Sequence, residues 1–258
     1  MLGPSVPLSL GALVGVLLSG GFVWLEVGRY AAPQVPVSLF DERRELFAYT
    51  AGLFVGVPLA LVFVLFVDSM ANAALPGAAA FLALLIGGTE LAQRLLLRSR
   101  YWGRSESGPF YALGYRASIA GILVLALVTQ YFSIADPISA TGIALVLVQS
   151  VAVLALETSG ALLSIGPTPT SGRTGGGPWS GVLFGAVGFF LLGFGALAGT
   201  AGAFGGAIVA GLGAYLVYRR LRPTLATIPS PVSPPASPEP ARSSAFGRLD
   251  RKPPPPSG

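Results

Sequence analysis

Positive charge in this chain is segregated. Its 16 Lys and Arg residues lie in, or at the edge of, alternate gaps between seven long apolar stretches. The intervening gaps hold Asp68, Asp136 or no charge. A chain with this pattern threads back and forth through a bilayer, because arginine and lysine are retained on the cytoplasmic side. Composition agrees: 53% of residues are hydrophobic and 10% are charged, against about 25% charged in soluble domains. Mean hydropathy is +0.72. A soluble fold could not cover this much apolar surface with so few polar groups.

The expected architecture is an all-α polytopic bundle of seven transmembrane helices. The apolar runs cover 5–25, 47–67, 74–96, 112–132, 139–162, 180–199 and 201–218, each near the ~20 residues a helix needs to span the hydrocarbon core. The first run lacks a positive leader and is long enough to span, so it reads as a span rather than a signal peptide. Arg29, Arg43 and Arg44 follow span 1, and Arg94, Arg98, Arg100, Arg104 and Arg116 surround the gap after span 3. Arg173 follows span 5, and the remaining basic residues follow span 7. The N-terminus is therefore expected outside and the C-terminus inside, in the plasma membrane.

The transmembrane domain is expected over 1–221. Residues 222–258 hold 11 of the 22 prolines and read as a disordered cytoplasmic tail. The Gly/Pro-rich stretch 165–178 reads as a linker. Residues 37–47 alternate apolar and charged positions, which predicts a short interfacial helix leading into span 2. Spans 6 and 7 are separated by little more than Thr200. Dense glycine from Gly181 to Gly213 predicts a tightly packed helical hairpin.

The chain has no cysteine and no histidine. Thiolate chemistry, Ser-His pairs and imidazole-held metals are excluded, and no cofactor is expected. Its only lysine, Lys252, lies in the tail, so no span can carry a retinal Schiff base. The basic charge marks topology and lipid contact, with no nucleic-acid partner.

Ionisable groups inside spans cost about 2.5–3.5 kcal/mol each and need a reason. Glu26, Glu90, Arg94, Arg116 and Glu157 all fall near one level, in the cytoplasmic third of the membrane. They are the candidate ionic cluster, with Glu90 and Arg94 placed to pair at i,i+4. Glu157 has no basic residue within one turn of its own helix. It recurs at sevenfold spacing with Ser150 and Ser164, and is suited to proton handling. Gln130, Gln149 and Ser150 are the candidate polar path.

Three stretches run in a suggestive order. Phe40-Asp-Glu-Arg-Arg-Glu-Leu leads into Gly56-Val-Pro58. Gly88-Thr-Glu90-Leu-Ala-Gln93-Arg94 precedes a basic loop. Tyr111-Ala-Leu-Gly-Tyr-Arg-Ala-Ser-Ile-Ala opens the next span. Over residues 38–132 this order resembles the PrsW-type glutamic intramembrane proteases. Glu90 matches the second glutamate of that family's Glu-Glu-x-x-Lys motif. Thr89 stands at the first, and Gln93 or Arg94 stands near the lysine. The family's later glutamate falls near Thr129-Gln130, and its histidine has no counterpart. The resemblance implies a relative without the paired-carboxylate chemistry, open to a membrane-protein partner. Two functions follow from the sequence: a non-catalytic scaffold, or a small-solute or proton-coupled transporter using Glu157 and Glu90.

Overall fold

A computed structural model describes residues 5–27, 41–98, 108–134, 139–165 and 177–222. It holds seven helices among these residues: α1 (Ser5–Val27), α2 (Glu42–Ala71), α3 (Leu75–Arg98), α4 (Gly108–Ile134), α5 (Ala140–Ser164), α6 (Gly177–Leu197) and α7 (Gly199–Leu221). Six are long and apolar enough to cross a membrane, and the apolar stretch of α6, Trp179–Gly195, is shorter. Large side chains such as Leu17, Trp24, Phe54, Leu61 and Trp179 are exposed on the bundle exterior. Apolar exposure on this scale suits a lipid surrounding. Most of the linker and all of the Pro-rich tail beyond Arg222 lie outside the described residues.

Helix α4 forms the centre. Every residue from Phe110 to Gly121 is buried, and α4 packs against α1, α2, α3 and α5. Small residues on α1 and α2 permit this closeness. A Cβ on Gly15 would overlap the Gly121 carbonyl oxygen, and one on Gly11 would stand 2.7 Å from the Leu125 carbonyl oxygen. With the Thr129 hydroxyl 3.4 Å from the Pro7 carbonyl, these contacts run in opposite sense along the two helices, so α1 and α4 are antiparallel. A Cβ on Gly52 would overlap Ser118 Oγ and the Tyr115 carbonyl, and one on Gly56 would meet Ile122 at 2.9 Å. Those contacts run in the same sense, so α2 and α4 are parallel. Helices in lipid gain little from hydrophobicity against one another and depend on such close backbone approach.

The last two helices form the hairpin. Only Ala198 separates them, and Gly199 has φ +76, a left-handed conformation that glycine adopts without a Cβ penalty. Gly195 and Gly206 then pack backbone to backbone, with a Cβ on Gly195 only 3.1 Å from Gly206 Cα. Thr200 lies inside α7 rather than in the turn.

The entry to α2 differs from the interfacial helix expected at 37–47. Residues 37–40 fall outside the described residues, and Glu42–Ala71 is one unbroken helix through Pro58. Asp41 caps it, its carboxylate accepting from the Arg43 N–H at 2.9 Å, as a short acidic side chain does at an N-cap. The faces are also reversed. Glu45 is buried, whereas Leu46 and Phe47 are exposed. The reason is the stripe Glu45, Ala48, Gly52, Gly56, Leu59, Phe63, whose three-to-four spacing continues the packing face of the span back into the charged segment.

Close packing at Gly52 predicts a sharp contrast. Gly52→Leu should lower the unfolding temperature in detergent markedly, since overpacking a close helix contact costs about 1–3 kcal/mol or more. Gly87→Ala, where an added Cβ meets nothing within 4 Å, should leave it unchanged or slightly raised.

Candidate functional site

Arg116 lies about 12 Å along α4 from its first residue, at 1.5 Å per residue. Glu90 and Glu157 lie about 10–12 Å from the last residues of α3 and α5 by the same rise. The helix ends therefore bring all three to one depth, and the side chains meet. The Arg116 guanidinium donates from Nη1 to Glu157 Oε2 at 2.7 Å, from Nη2 to Glu90 Oε1, and from Nε to Gln93 Oε1 at 2.5 Å. All four residues are buried. Charge-assisted bonds of this kind are the strong class of protein hydrogen bond, and they join α3, α4 and α5 at one point.

A second tier orients the first. Glu90 Oε1 also accepts from the Ser164 hydroxyl at 2.6 Å. Gln93 turns its amide N–H towards the Ala161 carbonyl at 3.4 Å. Gly181 of α6 closes the cluster, since a Cβ there would overlap Ser164 Oγ and stand 2.9 Å from Glu90 Oε1. Beside the carboxylates lies a void of about 10 Å³, bounded by Glu90, Arg116, Glu157, Gly160, Gly181 and Phe189 among others. That is about the least space that holds one water. Glu90 Oε2 has no hydrogen-bond partner among the described residues.

Two members of the sequence-read cluster lie elsewhere. Arg94 is exposed, and no ion pair among the described residues joins it to Glu90. The i,i+4 pairing is corrected on physical grounds: Glu90 turns inward to Arg116 and Ser164, while Arg94, one position past the buried Gln93, faces outward. Glu26 pairs with Arg222 at 3.0 Å, tying the ends of α1 and α7 at the bundle's edge.

The polar path also divides. Gln130 and Gln149 border one cavity at the far end of α4. Ser150 is buried, and its hydroxyl returns to the Val146 carbonyl of its own helix at 2.7 Å. From Arg116 to Gln130 the rise is about 21 Å. Ile119, Ala120, Leu123 and Val124 of α4, with Val153 and Leu156 of α5, fill the interval and are buried.

One buried acid escaped the sequence reading. Glu45 is 4% exposed, and its two carboxyl oxygens have no hydrogen-bond partner among the described residues. It sits against α4 at Gly114, where any side chain would overlap it. The Tyr115 hydroxyl is likewise buried without a partner among the described residues. The available signal was the position of Glu45 seven residues before Gly52, on the small-residue stripe.

No protein-family model, curated protein or solved structure matches this chain.

The cluster predicts a non-additive mutational pattern. Arg116→Met leaves two buried carboxyls without their counter-charge and should cost about 3–5 kcal/mol of stability. Adding Glu90→Gln and Glu157→Gln should restore most of the lost thermal stability in detergent. A triple variant no more stable than Arg116→Met would contradict this account of the network.

Proposed function

We propose that this chain is a seven-span integral membrane protein with a non-catalytic, scaffold or partner-binding role, in which the arginine-centred cluster fixes helix packing. The observation that carries the reading is the engagement of all three Arg116 guanidinium nitrogens by acceptors of the bundle beside a void of only about 10 Å³. A peptide or solute needs a cavity of about 300 Å³ or more. The carboxylates have neither that space nor a free guanidinium to offer a ligand. The packed apolar layer between Arg116 and Gln130 speaks against a continuous polar route, which a transporter requires.

The proposal includes an N-terminus outside and a C-terminus in the cytoplasm of the plasma membrane. Alternation of arginine-rich gaps supports this orientation, and the hairpin geometry of α6 and α7 supports counting α6 as a span despite its shorter apolar stretch. It also includes descent from a PrsW-like ancestor that lost activity. Thr89, at the position of the family's first glutamate, is buried with its hydroxyl on the Leu85 carbonyl at 2.5 Å. Glu90 is engaged by a guanidinium and a hydroxyl, which leaves no dyad of the family type.

Topology is readily tested because the chain has no native cysteine. In intact cells, a membrane-impermeant maleimide should label Asn72→Cys and spare Ser171→Cys until the membrane is opened. The reverse pattern would invert the orientation. Function is tested in proteoliposomes carrying a lumenal pH dye. Parent and Glu157→Gln protein should both give proton flux no greater than empty vesicles. Flux by the parent that Glu157→Gln abolishes would replace the scaffold reading with transport.

A further inference from the structure

At the end of the bundle away from Arg116, α2, α4, α5 and α6 border a partly open cavity of about 450 Å³. Its walls are apolar and aromatic, with Phe63, Phe66, Met70 and Val146 among them, and Gln130 and Gln149 bring carboxamides to it. Among the described residues, no charged side chain lines it. The side-chain oxygen of Gln130 is buried and has no hydrogen-bond partner among the described residues.

Water does not suit this space. At ~30 Å³ each, about 15 waters would be needed, and a buried water requires two to four polar partners. The two carboxamides and the Tyr131 hydroxyl supply a small fraction of that. A charged headgroup does not suit it either, since no counter-charge among the described residues lines the walls and an unpaired ion in a low-dielectric site is heavily penalised. The walls call for hydrocarbon, and the Gln130 oxygen calls for a donor. The size falls within the range of small-molecule sites, which are mostly apolar with a few placed polar groups.

We infer that this cavity is a binding site for a neutral, hydroxyl-bearing lipid of the bilayer, a long-chain alcohol or acylglycerol. Its hydroxyl donates to the Gln130 carboxamide, with Gln149 beside it, and its chain lies among Phe63, Phe66 and Met70. The site is separate from the arginine cluster and does not depend on the scaffold reading.

The test uses the full chain in phosphatidylcholine vesicles with two photoreactive probes. One is a C16 alcohol carrying a diazirine in its chain; the other is its methyl ether. The alcohol should label peptides containing Met70, Val146 and Gln149 several-fold more than the ether. Gln130→Leu, which keeps the shape and removes the amide, should reduce alcohol labelling to the ether's level at an unchanged unfolding temperature. Val146→Trp, which fills the space, should reduce both; Gln130→Leu decides alone if that variant does not fold. Three results overturn the inference: equal labelling by the two probes in the parent, labelling confined to lipid-facing residues such as Leu13 and Leu61, or a preference for the alcohol that survives Gln130→Leu.

Discussion

A guanidinium placed deep in a bilayer protein must find every partner within the protein. Lipid tails supply neither water nor counter-charge, and an intramembrane arginine carries a cost that only pairing offsets. Arg116 answers that demand at each of its three nitrogens, with two carboxylates and a carboxamide from two neighbouring helices. Three consequences follow. Helices α3, α4 and α5 are held at one relative height. Ser164 and Gln93 are committed to orienting the acceptors rather than to facing solvent. The α6 backbone must also come close enough to seal the site, which makes Gly181 a requirement of the network and not only of helix packing.

The same logic places small residues around α4. A helix buried on all sides can be approached closely only where its neighbours lack side chains. Gly11 and Gly15 of α1, and Gly52 and Gly56 of α2, stand at those points. Gly114 of α4 serves the same purpose in the other direction, leaving room for the Glu45 carboxyl of α2. The first turns of α4 therefore have acids on two sides: Glu45 from α2, and Glu90 with Glu157 from α3 and α5. Among the described residues, only the second side is paired with a cation.

The helices were legible in the sequence because lipid imposes a long, uniform signal. Most ends fell within a few residues of the apolar runs. The clearest exception was α2, whose first turn is charged and is drawn into the helix by the Asp41 cap and by packing at Glu45. The cluster was legible in part. Equal depth can be counted from helix ends, and depth grouped Glu90, Arg116 and Glu157. Azimuth cannot be counted in the same way. Rotation about the helix axis depends on which face a neighbour covers, and this sends Arg94 outward, Glu26 to Arg222 and Glu45 inward. A buried acid flanked by arginines in sequence looks like an interfacial charge until the small-residue stripe running through it is traced.

The two ends of the bundle are specified by different means. Apolar helix faces alone select register weakly in a membrane, since a leucine gains as much against a lipid tail as against another leucine. Sliding α4 by one turn, about 5.4 Å, would displace the glycine contacts along α1 and α2. It would separate Arg116 from all three acceptors and strand two carboxyls. The charged end therefore excludes alternative registers, the best-attested use of a buried polar group. At the other end, Gln130 and Gln149 border an open volume rather than joining helices together. Register there is inherited from the Arg116 network and from the glycine contacts along α1 and α2. An end that does not have to fix the fold is free to leave space, and the large cavity lies there, whereas the space beside the charges is barely that of one water.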